Sequence, residues 1–190
     1  EFAELIEELL CKPLGTMDLY FGLPPECASR VAVLEAPETG PVLPDPSGIQ
    51  TVPLAWQPLH VWMNQAAGRR ACVPGGGGIM SARAVARMYA ALLPGGVAGV
   101  ELLPPERIRL ATMDQVTNDG IGTGRGLGYI LGGANAKFGP RGTAFGHDGH
   151  GGSAGFADPE LGLAVGLAKN RFSSRGVENR VFDCLRELFG

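Results

Sequence analysis

Apolar residues at Phe2, Leu5, Ile6, Leu9 and Leu10 recur at helical spacing, with Glu1, Glu4, Glu7 and Glu8 on the other side and Pro13-Leu14-Gly15 behind them. That spacing predicts a core-facing amphipathic helix that stops at the Pro-Leu-Gly turn. From Tyr20 to about Leu59 the periodicity is lost, because prolines recur at 24, 25, 37, 41, 44, 46, 53 and 58. Only Arg30 to Leu34 reads as a short strand there, so about 22–60 is expected to be a long surface excursion. After Pro74 and Gly75 to Gly78, Ser81 is placed as the N-cap of a helix with Val85, Met88, Tyr89, Leu92 and Leu93 on its apolar face, stopped by Pro94-Gly95-Gly96. A shorter helix is expected around Pro105 to Met113, then a glycine-rich loop over Gly120 to Gly133 with a possible strand at Gly128 to Leu131.

The clearest pattern follows. Ser153 to Ala157 and Leu163 to Ala168 are short apolar runs separated by Asp158-Pro159-Glu160-Leu161, a type I turn signal, with Gly162 available for a left-handed position. This predicts a hairpin within about 143–170. Val177, Val181, Cys184, Leu185 and Leu188 then trace a helical stripe over about 176–189, expected to pack on the sheet. Strands followed by a helix give an α+β layering.

Bulk properties narrow the partners. A chain of 190 residues, 45% hydrophobic and 18% charged, suits one core, either a whole domain or part of one. A net charge of -3 without any basic run excludes a nucleic-acid partner, and no window approaches the ~20 apolar residues of a membrane span. Cys11, Cys27, Cys72 and Cys184 show no C-x-x-C spacing and are expected as buried free thiols. The chain opens without methionine on residues that read as helix interior, so it is expected to be a fragment that begins inside a domain.

Several local motifs invite chemistry that their context refuses. Gly151-Gly152-Ser153-Ala154-Gly155 fits G-x-S-x-G, yet a nucleophile elbow needs a helix after the serine and a histidine later in the chain. Here a strand and turn follow, and His60, His147 and His150 all precede Ser153. His147 and His150 are three apart and would point to opposite faces of a strand, and neither a metalloprotease nor a deaminase signature is present, so no metal is assigned. Gly75 to Gly78 lacks the Gly-Lys-Ser/Thr of a phosphate loop and reads as a plain helix entry. His60, between Trp56 and Trp62, reads as a packed or surface residue without a role.

Taken in order, several segments resemble the serine β-lactamase and penicillin-binding-protein superfamily, in its class C-like and esterase-like branch. Phe2 to Gly15 is similar to its helix ending in Pro-Leu-Gly. Gly76 to Ser81 with Ala82 to Leu93 is similar to its Gly-Gly-Gly-hydrophobic-Ser helix entry, and Gly126-Leu127-Gly128-Tyr129 to its Gly-Leu-Gly-aromatic element. Phe145-Gly146-His147-Asp148-Gly149 stands where the family carries Lys-Thr-Gly or His-x-Gly, followed by Gly-Gly-Ser and Asp-Pro-Glu. The resemblance implies a β-lactamase/transpeptidase-like fold, an antiparallel sheet flanked by helices, of which residues 1–190 would be the C-terminal part. It implies no cofactor and a small ester or amide as substrate.

In that family an S-x-x-K serine attacks an acyl carbon, the lysine and a Y-x-N tyrosine manage its proton, and the third motif orients the substrate. By resemblance His147 takes the third-motif position, where it would contact a substrate carboxylate or the tyrosine. Gly149 lets substrate lie along the strand, and the backbone N–H of His150 supplies an oxyanion donor. Asp148, Gly151 and Gly152 are the expected substrate-binding neighbours, and an acid at 148 is expected to repel anionic substrates and favour neutral esters or amides. The lysines are Lys12, Lys137 and Lys169, preceded three positions earlier by Leu9, Ala134 and Gly166, so the chain contains no S-x-x-K. No asparagine has a tyrosine or serine two positions before it. Both motifs precede the matched region in the family, which makes truncation the simplest explanation and the N-terminal remainder of the domain a required partner. The alternative is a non-catalytic lactamase-like module retained for binding a peptide or a partner protein.

Overall fold

A computed structural model describes residues 1–37, 53–115, 124–134, 136–172 and 177–189. Its centre is a four-stranded antiparallel sheet in the order β3 (Ile130–Leu131), β4 (Phe145–Asp148), β5 (Ala154–Asp158), β6 (Leu163–Leu167). The expected hairpin is β5–β6, with Phe156 opposite Val165 and Asp158 opposite Leu163. Its turn forms as the residues dictate. Asp158 Oδ1 accepts from the N–H of Glu160 at 3.0 Å, and Gly162 takes the left-handed conformation at φ 60°. The buried Asp158 carboxylate also accepts from the Thr143 hydroxyl at 3.1 Å and faces Arg141 Nε at 3.6 Å, so its burial is compensated.

Alternation along the strands sends side chains to two different cores. Phe145, Ala157 and Leu131 meet Tyr89, Leu92 and Leu93 on one face. Phe156, Ala154 and Ile130 meet Phe138 and Phe182 on the other. The first face is covered by α5 (Ala82–Ala90), capped by Ser81, whose hydroxyl accepts from the N–H of Ala84 at 3.2 Å. The second is covered by α7 (Val177–Phe189). Glycines let α5 sit close: a Cβ on Gly155 would lie 2.4 Å from Val85 Cγ1, and one on Gly166 would lie 2.2 Å from the carbonyl oxygen of Ala82.

The N-terminal flank consists of α1 (Phe2–Ile6), a π-helical turn over Glu7–Cys11, and α2 (Lys12–Leu14), closed by Gly15 at φ 60°. A two-stranded ribbon of β1 (Leu19–Phe21) with β2 (Gly78–Met80) follows in space. Both pack on α5 through Cys11, Leu19 and Ala84. Two short helices, α3 (Leu59–Asn64) and α4 (Ala66–Arg70), precede β2, and α6 (Pro105–Ala111) precedes the sheet.

Several expectations are corrected. The first helix buries only part of its apolar stripe: Ile6 packs against the Cys11, Leu19 and Ala84 cluster, but Leu5 and Leu9 are 52% and 63% exposed. The wide π turn rotates the chain so that Cys11 and Leu14 point inward instead. Arg30 to Leu34 is no strand. Pro25–Arg30 is a 3₁₀ helix, and the segment beyond makes one parallel bridge, Glu35 to Arg171, while Asn64 ties both backbone groups of Leu34 at 2.8 and 2.9 Å. On α7, Leu185 of the expected stripe does pack inward, beside Phe182, whereas Val181, Cys184 and Leu188 of that stripe face solvent. The strand at 128–131 is only Ile130–Leu131, and the helix at 105–113 ends at Ala111. The cysteines are free, but only Cys11 is buried, while Cys72 and Cys184 are exposed. Pro41, Pro44 and Pro46 of the excursion and residues 120–123 of the glycine-rich loop lie outside the described residues.

Candidate active site

The six residues singled out from the sequence, His147 to Gly152, form the end of β4 and the turn into β5. Chain geometry gives them distinct surroundings. β3 is only two residues long and pairs Ile130 with Gly146 and Leu131 with Phe145. Beyond Gly146 the outer edge of β4 therefore has no strand partner among the described residues, while its inner edge continues along β5 with His147 opposite Gly155 and Asp148 opposite Ala154. Alternation puts His147 on the α5 face and Asp148 on the α7 face.

His147 is exposed, and its Nδ1 lies 2.7 Å from the carbonyl oxygen of Asp148. A carbonyl only accepts, so this bond requires the proton on Nδ1, and in the neutral ring it leaves Nε2 as an outward-facing acceptor. Beneath the strand, Tyr129 packs edge to face with both Phe145 and Tyr89, and Tyr89 lies over Gly155. Burial raises the pKa of the Tyr89 phenol well above its ordinary value, with Tyr129 adding to the shift and the backbone N–H of His147 opposing it. Burial raises the Tyr129 pKa as well.

Asp148 is not an isolated acid. Its Oδ2 lies 2.5 Å from Nζ of Lys137, and both side chains are about three-quarters buried, at 24% and 29% exposure for Lys137 and Asp148. Lys137 comes from the β3–β4 connection between two buried residues, Ala136 and Phe138, which fix its backbone. Sequence reasoning missed this partner. Eleven positions separate the two charges, and no periodicity links a loop residue to a strand end.

The turn itself is tight. The N–H of Gly149 donates to the Ser153 carbonyl at 2.7 Å, and the N–H of Gly152 donates to the Gly149 carbonyl at 2.9 Å. Gly152 is needed for its φ of 89°, and Gly151 for space, since a Cβ there would lie 2.9 Å from the Phe172 ring. Both glycines thus have grounds within the fold itself. Gly149 differs: its nearest neighbour to an added Cβ is the Ser153 carbonyl at 3.6 Å, so the chain itself does not claim that space. Among the described residues, the backbone N–H of His150 has no acceptor. The His150 ring rests edge-on against Phe172 at 6.1 Å, and buried His60 touches the same ring at 5.7 Å. Ser153 is structural, its hydroxyl accepting from the N–H of Lys169 at 3.2 Å. A cleft of about 510 Å³ between the end of β6 and Val31 to Leu34 touches Ser153 but none of residues 147–152. No group of three or more His, Cys, Asp or Glu side chains among the described residues could hold a metal, and no helix among them is long and apolar enough to cross a membrane.

An antiparallel sheet between two helical layers, with a His-x-Gly strand at its open edge, is the architecture of the β-lactamase/transpeptidase fold. Residues 1–183 match the family model described as Beta-lactamase, and the chain belongs to that family. Among curated proteins it is 38% identical over 109 residues to the esterase/beta-lactamase LipL of Mycobacterium tuberculosis, covering 54% of this chain and 24% of that protein. A family VIII carboxylesterase structure superposes with a TM-score of 0.77 at 31% identity, covering 96% of this chain and 51% of the other. A penicillin-binding-protein homologue from Caulobacter crescentus gives 0.76 at 29% identity, covering 97% and 52%. EstA from Arthrobacter nitroguajacolicus gives 0.76 at 28% identity, covering 98% and 53%. The chain spans about half the length of these structures and a quarter of LipL.

Proposed function

We propose that this chain is the C-terminal part of one β-lactamase-related domain whose whole polypeptide is a serine acyl hydrolase acting on small esters or amides. The observation that carries this reading is the β4–β5 turn: among the described residues, a strand with a bare outer edge, an unclaimed space at Gly149, and an N–H at His150 without an acceptor. An acyl group laid along the outer edge of β4 would reach past Gly149 and present its carbonyl oxygen to that N–H. When a nucleophile adds to the carbonyl, the oxygen becomes negative, and a fixed amide donor aimed at it contributes on the order of 3 kcal/mol to the transition state. In its neutral form His147, with Nδ1–H bonded to the Asp148 carbonyl, would offer Nε2 to the proton-carrying group of the nucleophile's partner. The serine, its lysine and the tyrosine are absent from these 190 residues. The reading assigns them to an upstream segment, in keeping with a chain that spans half of its relatives.

The test uses the native polypeptide. Its intact mass should exceed the 19.8 kDa of this chain, it should carry S-x-x-K upstream, and a fluorophosphonate should label that serine. Hydrolysis of p-nitrophenyl butyrate should fall sharply in Gly149→Val, which fills the unclaimed space. An unlabelled native protein that starts near Glu1 overturns the reading. That result would favour the second one, a non-catalytic binding module, which the lack of S-x-x-K within this sequence supports.

A further inference from the structure

The long excursion and buried His60 have no assigned role, and both lead to one ring. Phe172, beyond β6, touches the β4–β5 turn at its tip: a Cβ on Gly151 would lie 2.9, 3.0 and 3.1 Å from three carbons of the ring, and the His150 ring meets it edge-on at 6.1 Å. The hydrogen bonds within the turn leave that tip out. They join Gly149 to Ser153 and Gly152 to Gly149, whereas the N–H groups of His150 and Gly151 reach no acceptor among the described residues. The tip therefore depends on packing for its position, and the ring of Phe172 supplies it. Phe172 is in turn tied to the excursion. Its N–H donates to the Glu35 carbonyl at 2.9 Å, the Glu35 N–H donates to the Asn170 carbonyl at 2.8 Å, and Asn170 Nδ2 donates to the Val33 carbonyl at 3.1 Å. His60, buried on α3, packs against the same ring at 5.7 Å. Asn64 joins α3 to this segment by holding both backbone groups of Leu34.

We propose that Phe172 is a positioning residue of the acyl site: its ring, held by the excursion and His60, fixes the tip of the β4–β5 turn and with it the backbone N–H of His150. This rests on the acyl-hydrolase reading above and deepens it, since a donor stabilises a developing oxyanion best when its direction is set before the oxygen becomes charged. Phe172 touches no reacting atom in this reading. It acts through Gly151 and His150, so its loss should leave substrate binding nearly intact and weaken the transition state. The excursion then has a function beyond its own packing, because residues 33–35 and His60 hold the ring that holds the donor.

The experiment compares Phe172→Ala and Phe172→Leu with the unsubstituted protein, each as the native full-length polypeptide, on p-nitrophenyl butyrate. A misplaced donor lowers kcat, and an interaction made only in the transition state leaves KM little changed when it is lost. In Phe172→Ala, kcat should fall on the order of thirtyfold with KM within about threefold, and Phe172→Leu, which refills much of the space, should recover most of the loss. Hydrogen exchange read by mass spectrometry is the second measurement. The segment 147–153 should exchange roughly tenfold faster in Phe172→Ala, while α5 keeps its native rate. Thermal melting checks folding. If Phe172→Ala does not fold, Gly151→Ala, which presses a methyl on the same ring from the turn side, should lower kcat in the same pattern. A folded Phe172→Ala with native kcat, or with only KM raised, overturns the proposal, and so does unaltered exchange over 147–153. If the native polypeptide hydrolyses no ester, the acyl-hydrolase reading fails by itself, and the exchange rates alone then decide whether Phe172 fixes the turn: faster exchange over 147–153 sustains that role and an unchanged rate overturns it.

Discussion

The sheet with its two flanking helices and the N-terminal flank follow opposite packing logic. On the sheet, apolar residues are spent inward: Phe145, Phe156 and Phe182 are almost fully buried, and glycines at 155 and 166 bring α5 onto the strands. On the flank, residues just as apolar point outward, with Leu5, Leu9 and Met17 exposed at 52%, 63% and 80%. Composition does not distinguish the two regions. What differs is whether a second layer stands over the apolar face, so a helix pattern identifies a face to be covered without naming its cover.

The largest effect should come from the sheet core. Phe182→Ala removes a ring in contact with Phe138 and Phe156 and should cost about 4 kcal/mol by urea denaturation, whereas Leu188→Ala on the exposed side of the same helix should cost under about 0.5 kcal/mol. Equal losses would mean that α7 is turned about its axis. Next come the glycines. Gly155→Ala forces a methyl against Val85 and Tyr89 and should cost about 2 kcal/mol, while Gly149→Ala, with open space, should change stability by less than about 0.5 kcal/mol.

A pH experiment probes the same face. The folded pKa of Tyr89 is raised by burial, so its contribution to stability is fully present below the unfolded phenol value of about 10 and is lost as pH rises through and above that value. Stability should therefore fall on the alkaline side, and Tyr89→Phe should make that fall shallower. An unchanged slope would place the phenol in water. The smallest effect belongs to the flank: Leu5→Ser with Leu9→Ser should leave the melting temperature within a degree or two, about what surface changes of a few tenths of a kcal/mol produce, while lowering aggregation measured by light scattering. A large loss of stability would show that this stripe is buried after all.

Much of the fold was legible because its signals are local. The β5–β6 hairpin, its Asp-Pro-Glu turn, the left-handed Gly162, the Ser81 cap and the glycine stop of the first helix each depend on residues within one turn of each other. The ribbon of β1 with β2 escaped notice and β3 was read two residues too long, since strands of two or three residues carry too little alternation to read. The Arg30 to Leu34 segment reads as a strand by composition, but a strand exists only where a partner offers its backbone, and there the amide of Asn64 does so instead.

For the candidate site, the order of motifs in the sequence located His147 to Gly152 and the family. It also fixed, by enumeration, that no S-x-x-K occurs in these residues. Tertiary structure alone decided which glycine leaves free space and which is filled by Phe172, that β4 has no strand partner beyond Gly146 among the described residues, and that Lys137 pairs with Asp148. The reason is physical: motif identity is a property of neighbours along the chain, whereas space, edge pairing and charge compensation belong to neighbours across it, and these meet only when the core closes.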